Sequence, residues 1–186
     1  MRKILTITVL VVFILFSCKT GIDPETYQEY QSKGNEVTNL AQATLLSNVG
    51  SAIQKGGPEY AVEFCNLKVS GIVDSLNQVN NCKISRISEK NRNPGNALKT
   101  KADKKLWELF EMSAQTDTVI QDNNAILYYK RINTAMPACL KCHGNPDADI
   151  NSSTKEKLQR LYPKDLATGY DLNEFRGLWK VEFNMQ

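Results

Sequence analysis

Five cysteines and one histidine stand among the 186 residues, and three of these six fall in the single run Cys139-Leu140-Lys141-Cys142-His143. C-x-x-C-H is the spacing that attaches a c-type haem. Two thiols three residues apart reach the two vinyl groups of one porphyrin, and the adjacent imidazole then faces the iron. Scattering five cysteines over 186 positions gives about a one-in-ten expectation of a pair three apart. The lone histidine follows such a pair with odds near one in 180, so chance supplies the whole motif roughly once in 1,700 sequences. Two other chemistries share part of the pattern. A thioredoxin-like C-x-x-C belongs beside a βαβ unit, and none is legible here. A zinc site needs two further ligands at short spacing, and Cys65 and Cys82, with sixteen residues between them, supply no second C-x-x-C.

Because His143 has no second histidine to pair with, another axial ligand from this chain is a thiolate, a methionine or a lysine, unless the position has no protein ligand. The methionines past the first residue are Met112, Met136 and Met185, and the cysteines left over downstream of residue 20 are Cys65 and Cys82. Cys65 carries three readings: an axial ligand, a plain core cysteine, or the disulfide partner of Cys82. Spacing alone leaves all three open. Arg86, Lys90 and Arg92 lie close together, and the guanidinium forks of Arg86 and Arg92 suit the two propionates of a haem as well as they suit a solvated loop. Trp107, Phe110, Tyr128 and Tyr129 are candidates to cover a porphyrin or to fill an ordinary core. A peroxidase requires a distal acid/base, for which no second histidine exists, so the chain reads as a binding protein and not an enzyme.

The chain opens with an address. Met1-Arg2-Lys3 precedes an apolar run from Ile4 to Phe16, and thirteen residues span only about 20 Å against the ~30 Å hydrocarbon core. This reads as a secretory signal rather than a membrane-spanning anchor. It ends at Leu15-Phe16-Ser17-Cys18, which resembles the lipobox of bacterial lipoproteins, with Cys18 the lipidated first residue of the mature chain. The expected location is therefore extracytoplasmic and membrane-anchored, a compartment where c-type haem is attached and oxidised cysteines persist. Formal charge is 23 − 20 = +3, and without Arg2 and Lys3 it becomes 21 − 20 = +1. So balanced a chain has no electrostatic footprint for nucleic acid. Hydrophobic residues at 41% and charged residues at 23% exclude disordered and fibrous classes, and the length fits one domain with appendages.

The elements that must hold these residues are legible in the pattern. Asp23-Pro24 marks a helix start, and Val37, Ala41, Leu45, Val49 and Ile53 recur at four-residue steps up to Gly56-Gly57, with Gly34 and Gly50 as possible kinks. A second helix is predicted from Pro58 to about Val79, its apolar face holding Val62, Cys65, Val69, Ile72, Val73 and Leu76. A short strand at 83–88, a loop at 91–96, a helix at 103–113, a hairpin over 116–132, a cysteine-bearing loop, a helix at 153–161 and a closing strand at 177–183 complete the reading. Helices first and antiparallel strands later indicate α+β. The expected division is 1–17 signal, 18–23 tether, 24–57 N-terminal helical segment and 58–186 haem domain.

Four blocks in order carry a resemblance. They are Arg86-Ile87-Ser88-x-Lys90-x-Arg92-Asn93-Pro94-x-Asn96, with Trp107-Glu108 after it; Pro137-Ala138-Cys139-Leu140-x-Cys142-His143-Gly144; Tyr162-Pro163-x-Asp165-x-Ala167-x-Gly169-Tyr170; and Arg176-Gly177. Together they are similar to a family of single-haem, PAS-like domains, long catalogued as a domain of unknown function. That family occurs alone in cyanobacteria and other bacteria, and as the sensor region of some histidine kinases. The resemblance implies a PAS-like antiparallel sheet enclosing one covalent haem c. It also implies that Cys65, which matches the position of a cysteine ligand on an early helix of the family, is the second axial ligand beside His143. Lys68-Val69 departs from the Ala-Pro expected after that cysteine, and Cys82 has no counterpart. The implied role is a redox or small-ligand sensor with a signalling partner. An electron-transfer cytochrome and a haem-free binding lipoprotein are the alternatives.

Overall fold

The computed structural model describes residues 21–184. The apolar leader, Cys18 and Met185 lie outside the described residues. Elements run in the order α1 (Pro24–Asn80), β1 (Lys83–Ile87), a 3-10 turn (Pro94–Asn96), α2 (Lys101–Met112), β2 (Asp117–Asp122), β3 (Ala125–Asn133), α3 (Pro137–His143), α4 (Ser152–Leu161) and β4 (Phe175–Asn184). The class is α+β.

Helix α1 begins as the sequence predicts: the Thr26 N–H donates to Asp23 Oδ1 at 2.9 Å, and Pro24 occupies the first turn. Gly56 and Gly57 break the helical backbone, Gly57 at φ 75°, a left-handed conformation that glycine adopts without steric cost. Pro58 then opens the second arm. The chain reverses at this point. Tyr30 of the first arm packs edge-on against Phe183 at 5.2 Å, while Asn77 of the second arm accepts from the Ile84 N–H at 2.7 Å. Ile84 pairs with Val181, two residues from Phe183. Arms of about 39 Å and 30 Å therefore return residues 30 and 77 to one neighbourhood, which makes α1 an antiparallel hairpin. Neither Gly34 nor Gly50 kinks it. At Gly34 a Cβ would lie 2.2 Å from Cγ of Tyr128, so this glycine lets helix and sheet touch, whereas Gly50 faces open space.

The sheet is antiparallel throughout, in the order β1-β4-β3-β2. The hairpin between β2 and β3 turns on Asn123 and Asn124, with Asn123 at φ 53°. Alternation along the central strands sends Ile126, Tyr128, Trp179, Val181 and Phe183 to one face, where Val37, Ala41, Leu45 and Val69 of both α1 arms cover them. Residues 24–57 thus share a core with the second arm of α1 and with the sheet. Leu127, Tyr129 and Leu178 point to the other face, under Leu106 and Phe110 of α2. Burial on both faces explains why β3 reads as a continuous apolar run rather than an alternating one. Phe110, Tyr128 and Tyr129 are core residues, and Trp107 stacks on Phe175 at 4.5 Å.

Two devices fasten α2. Its third residue, Asp103, accepts from Thr100 N at 3.0 Å to close a capping box, and also from Tyr129 Oη and Lys180 Nζ, each at 2.8 Å. At the other end, Arg131 donates to the carbonyls of Phe110 and Ser113, supplying the cation that the last turn lacks.

Candidate functional site

The stretch expected as a cysteine-bearing loop is helical. Pro137 starts α3, and Gly144 N closes it on Leu140 O at 2.9 Å. Seven residues are too few for an apolar period to show, and Pro137 is the one start signal the sequence offers there. Helical geometry sets Cys139, Cys142 and His143, at positions i, i+3 and i+4, on one side. Both thiols are free and half-buried.

His143 is fixed from behind. Its Nδ1–H donates to the carbonyl of Ala167 at 2.7 Å, which selects the tautomer whose Nε2 carries a lone pair. Tyr170 N donates to His143 O at 3.0 Å, and Gly169 N to Gly144 O at 2.8 Å, so the 165–170 loop is laced to the end of α3. The Tyr170 ring stands edge-on to the imidazole at 6.5 Å. Burial first, then the charges of Arg92 and Arg176, drive the His143 pKa well below its usual value and keep the ring neutral, the form that ligates a metal. Burial likewise pushes the Cys142 thiol up to about 11.

Cys65 of α1 lies near enough to act on Cys142, and Arg86 of β1 near enough to act on His143. Burial raises the Cys65 thiol, while the guanidinium groups of Arg86 and Arg92 oppose that rise. Arg86 is exposed to solvent, with Cys65, Tyr162 and Arg92 near enough to act on it. Among the described residues no acceptor is bonded to the Arg86 guanidinium, which lies 5.8 Å from the Trp179 ring centre. Arg92, expected beside it as a propionate partner, is engaged elsewhere. Its Nε donates to Asp165 Oδ2 at 2.9 Å, and its Nη2 to Cys142 O at 2.6 Å and Ala167 O at 3.3 Å. Arg176 donates to Ser88 Oγ and Lys90 O, leaving its Nε buried without an acceptor, and the buried Tyr170 hydroxyl also has none. Arg86, Arg92 and Arg176 all act on His143, and among the described residues only Arg92 of the three is paired with a carboxylate, Asp165. A group carrying two carboxylates of its own would balance that excess, so donor set and charge both fit a haem with its propionates.

The other candidates separate cleanly. Cys82 lies beyond the end of α1 and Cys65 fifteen residues before Asn80, about 22 Å along the helix. A disulfide tolerates Cα atoms no more than about 7 Å apart, which removes that pairing. Met112 is 87% exposed on the far side of the sheet, and Met136 is the N-cap of α3. No three His, Cys, Asp or Glu side chains gather as they would around zinc among the described residues. Sequence reasoning gave no role to Tyr162, Asp165, Ala167, Tyr170 or Arg176. All five lie in the family-like blocks, but Ala167 acts through its carbonyl, which no side-chain pattern reveals.

Comparison with known proteins agrees with this architecture. No curated protein matches the chain. The crystal structure of the cyanobacterial heme-protein Tll0287 superposes with a TM-score of 0.63 at 22% identity, over 89% of this chain and 98% of that one. The pattern of the Tll0287-like family spans residues 24–184, including the first arm of α1, and the chain belongs to that family.

Proposed function

We propose that this chain is an extracytoplasmic, lipid-anchored protein that binds one haem c and serves as a redox or small-ligand sensor. The observation that carries the haem assignment is the C-x-x-C-H run on a single helical face, with His143 held through Nδ1 so that Nε2 is free. Cys139 and Cys142 would form the thioether bonds, His143 and Cys65 the axial ligands, and Arg86 the ion pair to a propionate. The fold shared with a heme-protein supports this reading. When bound, the haem supplies an iron that accepts one electron and exchanges small ligands. Cys65 bears on the sensing role. Its surroundings raise the thiol pKa, so Cys65 would ligate as a thiolate only with the positive charge of the iron beside it. Export and anchoring rest on the leader and Cys18.

Intact mass tests covalent attachment: the chain should exceed the apoprotein by one haem, and acid acetone should fail to extract the colour. Extraction of the pigment would defeat the thioether assignment. Spectra across a redox titration, with and without carbon monoxide, test the role. A change of ligation supports sensing, whereas six-coordination in both states points to an electron carrier.

A further inference from the structure

The Ala167 carbonyl is shared. It accepts from His143 Nδ1 at 2.7 Å and from Arg92 Nη2 at 3.3 Å, and the same Nη2 reaches Cys142 O at 2.6 Å. Arg92 Nε meanwhile pairs with Asp165 Oδ2 at 2.9 Å, whose other oxygen accepts from Ala167 N at 2.8 Å. One guanidinium thus joins the peptide before His143, the carbonyl behind the imidazole and the carboxylate that turns the loop. The Arg92 and Asp165 side chains are only 14% and 11% exposed, so water competes little for these bonds. We infer that Arg92 is a positioning residue for His143, fixing the orientation of its ring and, by sharing the Ala167 carbonyl, setting how strongly Nδ1–H can donate and how basic Nε2 becomes.

A carbonyl that already accepts from a cation has less electron density for a second donor, so Arg92 restrains the hydrogen bond that would make the imidazole a stronger electron donor. The planar fork reaches its three acceptors from two separate nitrogens; an ammonium at the same place keeps the charge and the pairing with Asp165 but has one nitrogen and not the span. The effect on a bound iron rests on the haem assignment, whereas the effect on the imidazole does not.

Arg92→Lys is the decisive variant because charge is retained. His143 is the chain's lone histidine, so its Nδ1–H gives an isolated proton resonance in selectively 15N-labelled protein. In the protein as isolated, Arg92→Lys should move that resonance downfield and slow its exchange with water, and the haem midpoint potential should fall below the wild-type value. Arg92→Leu, which also removes the charge, should lower the potential further; if it fails to fold, Arg92→Lys carries the test alone. An Arg92→Lys protein with wild-type resonance, exchange and potential overturns the inference, even if its melting temperature is lower. Should intact mass show no haem on the wild type, the haem assignment falls, and the resonance and its exchange still decide the role of Arg92.

Discussion

Cys65 and Cys82 are chemically identical in the sequence and separate sharply in space. Cys65 shares the electrostatic surroundings of Cys142, Arg86 and Arg92, whereas Cys82 sits past the last turn of α1 with no cation acting on it among the described residues. Cys65→Ala should convert a six-coordinate low-spin ferric spectrum into a high-spin or water-ligated one, and Cys82→Ala should leave the spectrum unchanged. If both variants keep the wild-type spectrum, Met136 becomes the next ligand to test. At this scale the sequence carries the covalent motif completely, since three residue types at fixed spacing define it. It carries the supporting residues poorly. Arg92 reads as a free cation because Asp165 is 73 residues away, and an ion pair across that distance leaves no local trace.

Elements are legible wherever a period has room to repeat. Both arms of α1, the β2–β3 hairpin and α4 fall where apolar spacing and turn residues put them, and α3 escapes for want of length. Glycines show what the pattern omits. Gly34 and Gly50 look alike in the sequence, yet only one touches the sheet, so the same substitution should act in opposite directions. Gly34→Ala drives a methyl into Tyr128 and should cost about 2 kcal/mol or more, while Gly50→Ala should stabilise by roughly 0.5–1 kcal/mol through helix propensity. Urea denaturation of the two variants checks both signs. Asp103 provides a second test. Burial pushes its carboxyl pKa up, but donation from Lys180, Thr100 N and Tyr129 outweighs that and holds it below the ordinary carboxylate range. A depressed folded-state pKa means that the stabilisation is present above the unfolded value of about 3.9 and is lost as pH falls through the folded one. Melting temperature should therefore drop in acid more steeply for the wild type than for Asp103→Asn. At neutral pH, Asp103→Ala should cost about 3 kcal/mol by leaving Lys180 and the Tyr129 hydroxyl without their shared acceptor.

For the molecule as a whole, none of the described helices is long and apolar enough to cross a membrane, and the proposed anchoring rests on the leader and Cys18. Cys18→Ser should block processing and leave a full-length precursor; normal maturation of that variant would point to an ordinary signal. The reversal at Gly56-Gly57 then has a topographic consequence. The first arm climbs about 48 Å from Pro24, and Cys65 comes about 12 Å back down the second, so the cysteine stands some 36 Å from the end that the lipid would hold. Carriers confined to the bilayer interior and carriers dissolved in the aqueous phase would meet this protein at different heights. In proteoliposomes, reduced protein should pass its electron quickly to water-soluble ferricyanide and slowly to a long-tailed quinone, and shortening both arms by equal numbers of whole turns should narrow that gap.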